Sequence, residues 1–215
     1  MHTLLVLGGG VMLLAGALRL VILVLVNRST ETLDFRGPVH AVEITLHRGE
    51  VTIRGSASSN PRVRRRLRHG LRRPRVEEHV DDGVLQLTVK SGFVQYEVDV
   101  PRRAAILVRG SSTSATVIGM TGPVELHASA GTLEGRALSA RAVRATTSEG
   151  SIRLSFDRAP DDVEVTTGSG SVELTLPDGP YDVETIGDTR CGVPTATGAR
   201  CRVRAKAASV RIRPR

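Results

Sequence analysis

Two stretches, VRATTSEGSIRL (143–154) and VEVTTGSGSVEL (163–174), repeat one pattern. Apolar and polar residues alternate, a Thr/Ser/Gly corner interrupts, and the alternation resumes. Alternation with a period of two places every second side chain on one face of a strand. Each unit therefore predicts two short strands joined at a corner, with one face buried.

In the same register lie VEITLHRGEVTI (42–53), ILVRGSSTSATV (106–117), VELHASAGTLEG (124–135), YDVETIGDTRCG (181–192) and CRVRAKAASVRI (201–212). Corners fall at 113, 131, 150, 170, 188 and 208, a spacing of 18–20 residues. The first, third, tenth and twelfth positions are apolar in 25 of 28 cases, where the overall apolar share of 40% would give about 11. One unit cannot bury its apolar face alone, but a stack of units can. The expected fold is all-β: solenoid-like stacked two-strand repeats of 18–20 residues, preceded by one N-terminal transmembrane helix.

The unit at 181–192 breaks the pattern at Arg190 and Gly192. One inserted corner residue would restore it, turning Cys191 and Val193 inward. Cys201 opens the next unit on an inward position, so a Cys191–Cys201 disulfide in the core is expected. Residues 56–102 interrupt the repeat and read as further strands at 63–67, 75–80, 84–89 and 93–100.

The 215 residues include only five aromatics, Phe35, Phe93, Tyr96, Phe156 and Tyr181, and no Trp. The core must be built from Val, Leu, Ile and Ala. The formal charge of +8 is local: residues 62–75 hold Arg62, Arg64, Arg65, Arg66, Arg68, Arg72, Arg73 and Arg75 and no acid before Glu77. These eight arginines are the candidate polyanion patch, for anionic lipid or cell-wall polymer. Nucleic acid is disfavoured because no aromatics lie among them to stack bases. The plainer reading puts Arg64, Arg66 and Arg68 on the wet face of a strand whose buried face is Val63 and Leu67, interrupted by Arg65.

Residues 4–26 form 23 residues with a single charge, Arg19, long enough to cross the roughly 30 Å hydrocarbon layer. A second apolar block after Ala15–Ala17 favours an uncleaved anchor over a signal peptide. The expected division is an anchor over 1–30 and a repeat domain over 36–213. Arg19 costs roughly 2.5–3.5 kcal/mol at mid-membrane unless it snorkels or meets an acid on a membrane protein partner. Arg28 and Arg36 on the C-terminal flank would, on the positive-inside rule alone, favour a cytoplasmic domain.

The six histidines form no HxH or HExxH pattern, and no nucleophile elbow, phosphate loop or dinucleotide fingerprint is present. No catalytic, cofactor-binding or metal residues are assigned. Glu77, Glu78, His79, Asp81 and Asp82 are the densest run of potential metal ligands, but they lack the spacing of known calcium loops.

The corners in TTSEGSIRL and TTGSGSVEL, the GLRRPRVEEHVDDGVLQL stretch (70–87) and a single membrane segment before the repeats resemble the bacterial putative-adhesin family. These are toast-rack-like β-repeat domains of unknown function. The resemblance covers residues 36–213. Family corners usually read Ser-Gly-Asp; here Ser114, Thr132, Ser151 and Ser171 replace Asp, and Thr113, Asp188 and Ala208 replace Gly. The resemblance implies a single-pass envelope protein with an extracytoplasmic domain, in some members tied to envelope-stress signalling, and no catalytic activity. It implies a binding or scaffold module first and a signalling accessory second.

Overall fold

The structure, a computed structural model, describes residues 27–35, 37–69 and 74–215. The expected membrane segment 4–26, with Arg19, lies outside them, as do Arg36, Arg72 and Arg73. The described residues hold fifteen strands and no helix. They are β1 (Asn27–Asp34), β2 (Ala41–Ser56), β3 (Arg62–His69), β4 (Arg75–Asp81), β5 (Val84–Ser91), β6 (Phe93–Pro101), β7 (Ala105–Ile118) and β8 (Val124–Ala130). Next come β9 (Leu133–Leu138), β10 (Ala142–Glu149), β11 (Ile152–Phe156), β12 (Asp162–Ser169), β13 (Ser171–Leu176), β14 (Asp182–Cys191) and β15 (Arg202–Pro214). The sheet thus starts at Asn27, earlier than the residue 36 expected from the repeats, because β1 pairs along its whole length with β3.

Each repeat unit forms one rung, and equivalent strands of successive rungs pair in parallel. One arm of the stack carries β5, the first half of β2, the first half of β7, β8, β10 and β12. The other carries β6, the second halves of β2 and β7, β9, β11 and β13. Val, Leu and Ile from both arms point into a shared interior, where Val42, Ile53, Leu126, Leu154 and Val163 are buried. Burying each such side chain contributes about 1.5–3 kcal/mol. Tyr96, Phe156 and Tyr181 are the largest fully buried side chains.

The corners explain the repeated Thr and Gly. The second Thr of each TT pair, Thr147 and Thr167, is buried and donates to corner carbonyls, Glu149 O at 3.1 Å and Gly150 O at 3.0 Å. A Cβ on Gly150 would lie 2.0 Å from Gly131 O, and one on Gly170 would lie 2.0 Å from Gly150 O. Rungs can close up at the corner only where no side chain intervenes.

Residues 84–101 do not interrupt the repeat. β5 and β6 turn at Ser91-Gly92 and stack in parallel on β2, so this segment is itself a rung. β3 and β4 follow antiparallel, β3 on β6 and β4 on β5, and β1 lies outside β3.

The far end departs from chain order. β15 lies between β12–β13 on one side and β14 on the other. Val163 aligns with Val203 and Val183, and Leu174 with Ile212 and Cys191. From first to last inward residue the rungs take eleven, nine and eight steps (163 to 174, 203 to 212, 183 to 191). The 181–192 unit is therefore corrected by a shorter corner, not by an inserted residue. The aligned inward rows of this unit and the last run from Val183 and Val203, while Tyr181, fully buried, and Cys201, half-buried, pack against the same core just before the strands.

Candidate functional site

The arginine-rich strand β3 sits between β1 and β6, so each of its arginines has two neighbours across the sheet. On the outward face Arg62 bonds Asp34 at 2.9 Å, and Arg64 and Arg66 reach the two oxygens of Glu97 at 3.3 and 3.4 Å. These pairs are exposed and each contributes at most about 1 kcal/mol. Their main consequence is that three of the eight arginines are already matched by acids. Arg75 opens β4 and is exposed. Arg68 lies opposite Arg28 and Phe93 in the ladder.

Arg65 does not belong to that surface. It shares the inward face with Val63 and Leu67, and its side chain is only 15% exposed. There it bonds Glu31 and Glu78, each at 2.5 Å, while the Tyr96 hydroxyl donates to the other oxygen of Glu78 at 2.7 Å. Glu78 is 7% exposed. Burial by itself would lower the Arg65 pKa, but its bonds to Glu31 and Glu78 raise it above the ordinary value. Burial, reinforced by the Glu78 carboxylate, pushes the Tyr96 phenol well above its usual value. The group forms a polar lid on the end of the apolar stack, with each charged side chain bonded to one of opposite sign, as burial of charge requires.

The acids of the 77–82 run disperse for the same reason. Glu77 faces outward and pairs with Lys90, Glu78 faces inward, and His79 is exposed. Among the described residues no group of three or more His, Cys, Asp or Glu could hold a metal ion.

A surface that sequence reading passed over lies on the outer face of the β5–β12 arm. There the small residues Ala41, Ala105, Pro123 and Ala142 fall in one row across neighbouring strands and leave a groove of about 380 Å³. Glu43, Leu107, Glu125, Arg144 and Glu164 stand along it, in register on β2, β7, β8, β10 and β12. Arg144 pairs with Glu164 at 2.9 Å. His127 lies 2.7 Å from Glu125, and that hydrogen bond is the chief cause holding the Glu125 carboxyl below its ordinary range. The small residues were legible as outward positions, but the groove exists only once the rungs align.

At the other end Cys191 and Cys201 carry free thiols. The expected bridge is not formed. Cys191 aligns with Ile212 on one arm and is exposed, whereas Cys201 precedes β15 on the other arm, half-buried. The inward residues of β14, Val183, Thr185, Thr189 and Cys191, line an open hollow of about 290 Å³, because no rung covers them.

No family model and no curated protein matches the sequence. Among solved structures, the chain is similar to a putative cell adhesion protein from Clostridium sporogenes, at 12% identity over 88% of this chain and 100% of that one, with a TM-score of 0.50. A putative adhesin from Parabacteroides distasonis is similar over 86% of this chain and 97% of that one, at 12% identity and a TM-score of 0.36. A putative adhesin from Parabacteroides merdae matches over 86% and 96%, at 14% identity and a TM-score of 0.33. The first likeness shows that the two chains share a β-repeat fold. At such identity it shows the fold alone.

Proposed function

We propose that this chain is a non-enzymatic binding and scaffold module of the cell envelope, anchored by residues 4–26, with its β stack outside the cytoplasm. The carrying observation is the shallow groove across successive rungs, walled by Glu43, Leu107, Glu125 and Arg144. Its shape suits an extended partner lying across the strands rather than a small molecule enclosed in a pocket. Two further points support the reading. Residues 4–26 are long and apolar enough to span a bilayer. The fold is shared with a protein described as a putative cell adhesion protein.

Cell-wall polymer is the partner class this reading names, and two experiments test it. Protease added to intact spheroplasts should digest residues 36–213, and full protection would overturn the extracytoplasmic placement. The chain should co-sediment with purified cell-wall sacculi, and Ala142→Arg, which fills the groove from an exposed position, should weaken this about tenfold or more without changing the unfolding midpoint. Equal binding by that variant would remove the groove from the proposal.

A further inference from the structure

The last rung of the stack is open on one side. β14 has a single strand neighbour among the described residues, β15. Asp182 N donates to Cys201 O on that side at 2.9 Å. Backbone groups of successive strand residues point to opposite edges, so those of Tyr181, Val183 and Thr185 face away from β15. Tyr181 shows what this outer edge accepts. Its N–H donates to Pro194 O at 3.0 Å and its carbonyl accepts from Ala196 N at 2.9 Å, a parallel bridge centred on Thr195. The chain then turns away, with Ala199 N donating to Ala196 O. A parallel strand is thus started beside Tyr181 and abandoned before Val183.

The side chains at this edge describe the strand that would continue it. Val183 and Thr185 point inward and line the open hollow of about 290 Å³. Glu184 and Ile186 point outward and are exposed, Ile186 to 58%. Across the sheet Asp162, Arg202 and Asp182 form one row, and Glu164, Arg204 and Glu184 another. Both rows end on an acid at the open edge, so the next strand in the alternation carries Lys or Arg at these two positions. A second copy of the chain does not supply it. β14 laid antiparallel on its own image about Glu184 sets Glu184 against Glu184. At the other end of the stack β4 alternates Arg75 and His79 with Glu77 and Asp81 on its exposed face, and β1 presents Thr30, Thr32 and Asp34. Neither strand has two basic residues flanking an apolar one.

We propose that the outer edge of β14 over 183–186 binds an extended segment of a partner protein by strand addition, parallel to β14. The segment carries basic residues opposite Asp182 and Glu184 and an apolar residue opposite Val183. Main-chain hydrogen bonds to Val183 and Thr185 hold it, and its alternate side chains select it. β15 has this pattern in Arg202-Val203-Arg204 and pairs with the other edge of β14 in the same parallel sense. Its sequence therefore serves as the probe.

The full chain in detergent is titrated at low salt with the fluorescein-labelled peptide RVRAKA, the sequence of residues 202–207, and with EVEAEA, and anisotropy is followed. RVRAKA should bind at least about tenfold more tightly, through its two charge pairs. Val183→Pro removes the outward N–H and leaves the pairing with β15 intact. It should weaken RVRAKA binding about tenfold at an unchanged unfolding midpoint. Glu184→Arg should reverse the preference toward EVEAEA. Equal binding of the two peptides, or binding of neither, overturns the proposal. So does undiminished binding by Val183→Pro, since charge alone then holds the peptide. Where Val183→Pro fails to fold, an unchanged preference in Glu184→Arg overturns it. Sedimentation of the chain alone as a dimer that Val183→Pro disperses overturns it in favour of a second copy.

Discussion

Arg204 on β15 lies directly opposite Glu164 on β12, with its guanidinium 3.7 Å from the carboxylate, and on its other side it faces Glu184 on β14. Two residues earlier, Arg202 lies between Asp162 and Asp182. Stacked in chain order, β14 would have set Asp182 and Glu184 against Asp162 and Glu164. Insertion of β15 turns two acid–acid contacts into alternating rows. The same alternation runs through Glu125, Arg144 and Glu164, and through Glu134, Arg153 and Glu173.

Arg204→Gln should cost about 0.5 kcal/mol at low ionic strength and less in high salt, because these side chains are well exposed. Arg204→Glu, which sets three carboxylates in one row, should cost ~1–2 kcal/mol. Urea unfolding at two salt concentrations measures both, and equal stability of the two variants would deny the row any part in specifying strand order.

Glu78→Ala should cost about 2–4 kcal/mol, since it removes one of the two carboxylates bonded to half-buried Arg65 and the acceptor of the Tyr96 hydroxyl. Replacing the pair together, Arg65→Met with Glu78→Leu, should recover most of that loss. A double-mutant cycle in urea reads the coupling, and additive losses would show that the two side chains act independently.

Tyr96 and Tyr181 are the only tyrosines, and both phenols are raised, in each case first by burial. Unfolded tyrosine loses its proton near pH ~10, while the folded phenols keep theirs. Above that pH the unfolded chain binds fewer protons than the folded one, so stability is complete below it and falls as pH rises. Tyrosinate absorbance should therefore appear together with loss of the β-sheet circular dichroism. A titration finishing near the ordinary value in a folded chain would contradict the burial of both rings.

Gly150→Ala should cost roughly 2 kcal/mol or more, because φ is +131° and the new Cβ meets Gly131 O. Gly198→Ala has open space and should cost only the strain of its φ of +78°. Thermal unfolding of the two variants compares backbone closure at the corner with turn strain alone.

Cys191 should react with a thiol reagent in the native, unreduced chain faster than Cys201, following their exposed and half-buried positions. Absence of any labelling before reduction would show the two bridged, and so a closer approach of β14 to the start of β15 than the structure has.

The alternation in VRATTSEGSIRL and VEVTTGSGSVEL determined the strands, their inward faces and the corner between them, because a side chain's face depends only on its own position along a strand. It also determined that Arg144 would fall between Glu125 and Glu164, since each is the second residue of its unit and equivalent strands stack in register. Three things were decided only in three dimensions. Arg65 reads as one more member of a basic run, yet it turns inward because Glu31, from β1, and Glu78, from β4, converge on it. The groove over Ala41, Ala105, Pro123 and Ala142 forms only where four successive rungs bring small residues into one row. The order of the last rungs was closed to local reading as well, because both β14 and β15 alternate correctly and their corners are shorter than the others. The inner row of β15, Val203, Ala205, Val210 and Ile212, is buried, whereas that of β14 carries Thr185, Thr189 and Cys191. Placing the apolar strand inside and the threonine-bearing strand at the open end buries more hydrocarbon and opposes unlike charges, a comparison that no single strand contains.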